Sequence, residues 1–237
     1  MALRMSANPP NREDAEKPFW ISFADLMTAL MVLFLVAMAV ALLVVTNGVS
    51  QIKAQEDARN GAVNSCIADI QKESHKFGEV SVTGYTINFG TLANFPLASN
   101  RLTPVQEEFL RRFVPRVLTI TKSPQCQKYL KRIVVDGFAS DEGSYMVNLN
   151  LSIQRSERVL CVLLDPTAAD APSADDRSLI QKLFLVGGSS SNSLKSSRDE
   201  SRRIELRVEF YGLREPRESA TPDIPLSGDV PCPVESR

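Results

Sequence analysis

Residues Phe19 to Val45 read FWISFADLMTALMVLFLVAMAVALLVV, and within this run Asp25 carries the only charge. As a helix rising about 1.5 Å per residue, the run is about 40 Å long, more than the roughly 30 Å of a bilayer core. A secretory leader is a poor alternative. Its apolar core is about 7–15 residues and follows a cationic segment, whereas Leu26–Val45 is uninterrupted and residues 1–17 balance Arg4, Arg12 and Lys17 against Glu13, Asp14 and Glu16. The segment therefore reads as a transmembrane helix over 18–45. An ionised carboxylate in a membrane costs a few kcal/mol or more, so such acids face a bundle interior or a water-filled path. Asp25 is therefore a candidate proton or ion site. Thr28 and Ala29 lie one turn further along the same face, where small or hydroxyl side chains permit close helix approach.

Composition bounds the remainder. The chain has 27 basic and 28 acidic residues, and beyond position 45 there are 24 of each, so no cationic field points to nucleic acid. Some 190 residues after the span are enough for one domain with its own core. All four cysteines, Cys66, Cys126, Cys161 and Cys232, follow the span, which fits an oxidising compartment and places the N-terminus inside. Lys and Arg around the span are too even to orient it.

Hydrophobic periodicity and punctuation divide the rest. Residues 1–17 read as a polar, disordered cytoplasmic segment. Residues 46–78 read as a helical stalk, with Val63, Cys66, Ile67 and Ile70 at helical spacing. Ser81–Gly90 has strand character. Thr103-Pro104-Val105-Gln106 is a capping box with proline at the first helical position, opening a helix that Pro115 should kink or end. Ile133–Val135 begins a buried strand ending at Gly137, and a second helix is expected from Tyr145 to Leu164. A helical piece follows within Asp175–Val186, and then a Gly/Ser-rich loop. Alternation of Ile204, Leu206, Val208 and Phe210 with charged residues marks a last strand over 203–211. Residues 213–237 read as a flexible tail. The order strand, helix, strand, helix, strand describes an α/β two-layer sandwich over 79–212, behind a single N-terminal transmembrane helix.

Three blocks in order carry a resemblance. Gly137-Phe-Ala-Ser-Asp-Glu-Gly143, then Asn148, Leu151-Ser152 and Arg155, and finally Arg202-Arg203-Ile204-Glu205-Leu206 are similar to the motifs of OmpA-like peptidoglycan-binding domains. The resemblance implies peptidoglycan binding by Asn148, Leu151, Arg155, Asp141 and Arg203, with Asp141 meeting the ammonium of a diamino acid such as diaminopimelate. The family's turn often places its Asp one position earlier, where this chain has Ser140. Independently of the family, Asn148, Ser152 and Arg155 line one face of a helix near its N-terminal end, and a guanidinium can grip a carboxylate bidentately.

Phe23-Ala-Asp-Leu-Met-Thr-Ala-Leu30 resembles the membrane signature of MotB-type stator B subunits, whose aspartate accepts and releases protons. The resemblance implies a homodimer within a ring of larger A-type subunits, two copies to five, in a bacterial inner membrane with the domain in the periplasm. Within that group, the Phe-Trp-Ile-Ser-Phe-Ala-Asp opening and the absence of a basic N-terminal run resemble the Zorya anti-phage branch more than a flagellar stator. A flagellar stator subunit and a passive peptidoglycan tether without ion flux remain the alternatives.

No G-x-S-x-G, Walker or H-E-x-x-H pattern occurs, and the single His75 has no cluster of potential ligands around it. No enzyme activity, metal or cofactor is expected. Four cysteines allow three pairings. Cys126 after the first domain helix and Cys161 at the end of the second would lie at one edge of a β-α-β-α layout, which makes Cys126–Cys161 the geometrically sensible pair and leaves Cys66 and Cys232 for a stalk-to-tail or intermolecular link.

Overall fold

The structure, a computed structural model, describes residues 12–216 and 232–234. The readings made for residues 1–11 and for most of the tail lie outside the described residues. The chain forms two compact units, residues 1–56 and 57–237.

Helix α1, Arg12–Ser74, accounts for the described part of the first unit and supplies the opening residues of the second. From Ser22 to Ala58 every side chain on it is exposed, Leu33 and Phe34 each by 66%. By length and composition it can cross a membrane.

In the second unit, Val63, Cys66 and Ile70 of α1 are 1%, 0% and 0% exposed. Residues expected to form a free stalk up to 78 thus belong, from about Asp57, to the domain. The same i, i+3, i+7 spacing that predicted a helix is the stripe it buries. The sheet contains β1 (Ser81–Thr83), β2 (Thr86–Asn88), β3 (Leu130–Gly137), β4 (Phe184–Gly188) and β5 (Ile204–Phe210), in the order β1-β2-β5-β3-β4. All neighbours are antiparallel except β3 and β4. What reads as one strand from Ser81 to Gly90 is a hairpin, because Gly84 takes φ +58° in the turn.

Helices α2 (Pro104–Thr121), α3 (Pro124–Tyr129), α4 (Tyr145–Leu164), α5 (Ala174–Leu183) and the single-turn α6 (Arg198–Ser201) complete the domain. The capping box opens α2 as expected: Gln106 N–H donates to Thr103 Oγ1 at 3.3 Å, and Thr103 N–H donates to Gln106 Oε1 at 2.9 Å. The helix is not ended by Pro115 but runs through it to Thr121. Inward residues Ile87, Ile133, Val135, Ile204, Leu206 and Val208 meet α2, α4 and α5, so the helices form one layer and the sheet the other. Phe77, Phe89, Phe109 and Phe113 form an edge-to-face and stacked cluster with centroids 5.1–6.1 Å apart. The opposite face of the sheet is polar, with Arg132 and Arg207 bonded to Glu209 and Asp136.

The disulfides are Cys66–Cys126 and Cys161–Cys232, not Cys126–Cys161. The reason is α3, a turn capped by Ser123 and opened by Pro124, which places Cys126 against the end of α1 rather than beside the end of α4. The strand β4 also differs from the expected continuation of helix into loop: the chain leaves α5 at Leu183 and pairs in parallel with β3 from Phe184.

Candidate functional site

Asp25 lies in the stretch of α1, Ser22 to Ala58, in which every side chain is exposed. Thr28 Oγ1 donates to the Asp25 backbone carbonyl at 2.8 Å, so the hydroxyl is anchored on the helix itself. Its oxygen lone pairs remain available one turn beyond the carboxylate.

The second set of residues gathers at the end of the sheet where β3 meets α4. Gly137 is required there: a Cβ at this position would lie 1.9 Å from the Ser152 carbonyl oxygen, which shows how closely α4 crosses the strand. Ser156 Oγ, one turn further, donates to the Gly187 carbonyl at 2.7 Å. This close docking, helped by small side chains on α4, brings Asn148 and Arg155 to the loops 95–101, 138–144 and 189–203. Phe138 N–H donates to Arg203 O at 2.9 Å, Ala139 N–H to Ser190 O at 2.8 Å and Phe95 N–H to Arg202 O at 2.8 Å, which ties the three loops together.

Arg155 is 0% exposed. Its Nε donates to Ser99 O at 2.9 Å, Nη1 to Phe138 O at 2.7 Å and Nη2 to Pro96 O at 3.2 Å. Its guanidinium lies 5.1 Å from the Phe95 ring centroid. A guanidinium has five N–H donors, so three bonds leave two. Burial, and then the nearby Arg202 charge, lower its pKa to about 10, and it stays cationic at neutral pH. Among the described residues no carboxylate pairs with it. The expected surface-facing clamp is thus an internal cation held by backbone carbonyls.

Asn148 is buried and its Nδ2 donates to Ser140 O at 3.0 Å, fixing the turn that carries Asp141. Leu151 is half-buried. Asp141 is exposed and accepts from Arg198 Nε at 2.9 Å, which holds its carboxyl below the usual range. Arg203 is 3% exposed, donates to Glu205 Oε1 at 2.7 Å and to Ser193 O at 3.1 Å, and lies 4.1 Å from the Phe138 centroid. It braces the loop.

Three residues of this region were not singled out as site residues by sequence reasoning. Glu142 accepts from Arg198 at 3.4 Å and Arg202 at 3.5 Å, and Arg202 Nε donates to Phe95 O at 3.1 Å. The signal was the density of arginines just before β5, where only the second and third were read as a motif. The four cysteines are all bonded, and no group of potential metal ligands occurs among the described residues.

A membrane-length helix with one carboxylate, followed by a two-layer α/β domain, defines the class of MotB-like single-span B subunits. Residues 4–46 match the family described as membrane MotB of the proton-channel complex MotA/MotB. Over 213 residues the chain is 39% identical to the Zorya protein ZorB of Escherichia coli O139:H28 (strain E24377A / ETEC), covering 88% of this chain and 87% of that one. The chain belongs to the ZorB family. Similar solved structures include the periplasmic domain of Helicobacter pylori MotB, at 16% identity and TM-score 0.39 over 56% of this chain and 82% of that one. A putative MotB-like protein from Desulfovibrio vulgaris gives 15% and 0.45 over 67% and 97%. The OmpA-like domain of FopA1 from Francisella tularensis subsp. tularensis SCHU S4 gives 12% and 0.35 over 56% and 82%.

Proposed function

We propose that this chain is the peptidoglycan-anchored B subunit of a proton-driven inner-membrane motor acting in anti-phage defence. The observation that carries the reading is Asp25, the one charge in the run Phe19–Val45. A carboxylate there is tolerated where partners and water reach it, and its cycling between charged and neutral forms changes its contacts with those partners. From Ser22 to Val45 every side chain is left exposed, so a proton path needs other helices around it. Those helices come from a second copy of this chain and a ring of larger A-type subunits, two copies to five. The N-terminus is cytoplasmic and the domain periplasmic, a placement that both disulfides support. Asp25 carries the proton and Thr28 orients it.

The domain holds the complex to the wall. Asp141 receives the ammonium of a wall peptide, and the two remaining N–H groups of Arg155 receive a carboxylate after the Pro96–Ser99 segment yields. Asn148, Leu151 and Arg203 hold the turn, the helix and the loop that present them.

The test is Asp25→Asn, an almost isosteric change that cannot titrate. Proton flux through the complex reconstituted in liposomes should disappear while assembly with the A subunit persists. Undiminished flux in that variant overturns the motor reading and leaves a passive tether.

A further inference from the structure

Arg198 already occupies the carboxylate that the proposed wall ligand needs. Its Nε lies 2.9 Å from Asp141 Oδ1 and its Nη1 3.4 Å from Glu142 Oε1, so one guanidinium spans both acids of the turn. Neither partner is buried: the side chains of Arg198 and Asp141 are 61% and 49% exposed. The pair is therefore open to exchange with solvent and with other cations, unlike Arg155, which the carbonyls of Pro96, Ser99 and Phe138 enclose. Arg198 also stands on α6, a single turn that ends the long exposed loop 192–197, so releasing it disturbs no core residue.

The neighbouring contacts define what is left when Arg198 departs. Arg202 continues to bond Glu142 and the Phe95 carbonyl, and its side chain is only 11% exposed. Ser140 Oγ donates to Glu142 Oε2 at 2.8 Å. Glu142 is thus engaged from two sides by residues of the frame, whereas Asp141 takes its counter-charge, among the described residues, from Arg198. The exchangeable position is Asp141.

We propose that Arg198 is an internal competitor for the ammonium-binding carboxylate: it caps Asp141 in the unliganded domain, and a primary ammonium on a wall peptide binds by displacing it. This inference rests on the reading of the domain as a wall anchor. Its consequence is that Arg198 limits affinity and filters ligands. A neutral, acylated amine cannot displace a guanidinium from a carboxylate, while an ammonium exchanges one ion pair for another and returns Arg198 to water. Since both pairs are solvent-exposed, the exchange is small in energy and responds to salt.

The experiment is retention of the full-length chain in detergent on purified sacculi, untreated or N-acetylated to remove their free amines. Variants are Arg198→Ala, Arg198→Lys, Asp141→Asn and the Arg198→Ala/Asp141→Asn pair, each checked by thermal melting. Arg198→Ala should raise retention on untreated sacculi about two- to five-fold, the scale of one exposed ion pair. Arg198→Lys should stay near wild type. The gain should vanish on acetylated sacculi and in the Asp141→Asn background. Lower or unchanged retention of Arg198→Ala, with wild type bound, overturns the competitor role and leaves the anchor intact. A gain that persists without Asp141 or without amines makes Arg198 a general charge effect and also overturns it. Failure of the wild-type chain to bind untreated sacculi overturns the anchor reading, and this inference with it.

Discussion

Cys66, within the domain's portion of α1, is disulfide-bonded to Cys126 in the first turn of α3, with Cα atoms 5.3 Å apart. The bond closes a sequence separation of 60 residues and fixes the last turns of α1 to the rest of the domain. A closed loop of that size restricts the unfolded chain by about 2–4 kcal/mol. The Cys66→Ser/Cys126→Ser pair should therefore lower the oxidised chain's melting temperature by roughly 4–16 °C at about 2–4 °C per kcal/mol for a domain near this size. Cys161–Cys232 joins α4 to the tail, and its removal should leave the α1 docking unchanged, read by hydrogen exchange of residues 63–74. Equal loss of protection at 63–74 in both pairs would show that the two disulfides do not act on separate parts of the domain.

Arg155 gives the sharpest separation of fold from binding. Arg155→Ala removes the bonds that the guanidinium gives to the carbonyls of Pro96, Ser99 and Phe138, while Pro96 O keeps the Ser99 N–H at 3.3 Å. Of these bonds only the one to Phe138 O is fully buried. A buried acceptor left unpaired costs about 1–3 kcal/mol and an ordinary hydrogen bond about 0.5–1.5, so denaturant unfolding should report a loss of about 2–6 kcal/mol. Arg155→Lys keeps the charge but cannot reach three carbonyls from one planar group, and should fall between. An Arg155→Ala chain as stable as wild type would mean that the carbonyl cage is not a structural element.

The same residue marks the boundary of what the sequence discloses. Helix α4 was legible to the residue, because Ser144 accepts from Val147 N–H as an N-cap and the buried positions follow helical spacing. The capping box at Thr103 was equally plain. Arg155 was legible as a position on the same helical face as Asn148 and Ser152, but its surroundings were not, since its partners are backbone oxygens from two loops and no side-chain pattern encodes them. Strand β4 was hidden because α5 passes into it with no turn residue between Leu183 and Phe184, and its outer residues Leu185 and Val186 stay exposed. The disulfide pairing turned on six residues of α3, too short to register as a periodic pattern.

The polar face of the sheet predicts acid sensitivity. The Arg132 guanidinium, 2.6 Å from Glu209, holds this carboxyl below its ordinary value of 4.5, with Arg207 adding to the effect. A group with a depressed folded pKa contributes stability that is present above the unfolded value and is lost as pH falls through the folded one. Thermal stability should stay level from neutral pH to about pH 5 and decline below about pH 4.5, with Glu209→Gln removing about 0.2–1 kcal/mol of that decline for a partly exposed pair. An identical acid profile in Glu209→Gln would assign the decline to other carboxylates.

The proposed role in defence is separable from motility by experiment. Flagellar stator subunits of the MotB type open with a cationic cytoplasmic segment and carry a membrane-lying plug after the span, whereas here residues 1–17 hold three basic and three acidic groups. Residues 49–60, VSQIKAQEDARN, are polar around most of the helix, and from Val49 to Ala58 each side chain is exposed. A helix that lies in a membrane interface needs one continuous apolar face, and this segment has only Val49, Ile52, Ala54 and Ala58 to offer. It suits an exposed connection rather than a plug. Deletion of the gene, in a host that also carries its partner genes, should leave swimming unchanged and raise the efficiency of phage plating. The Asp25→Asn allele should reproduce the deletion, because defence then depends on proton cycling and not on the presence of the chain. Impaired swimming with unaltered phage sensitivity would move the chain to motility while leaving the membrane carboxylate's role intact.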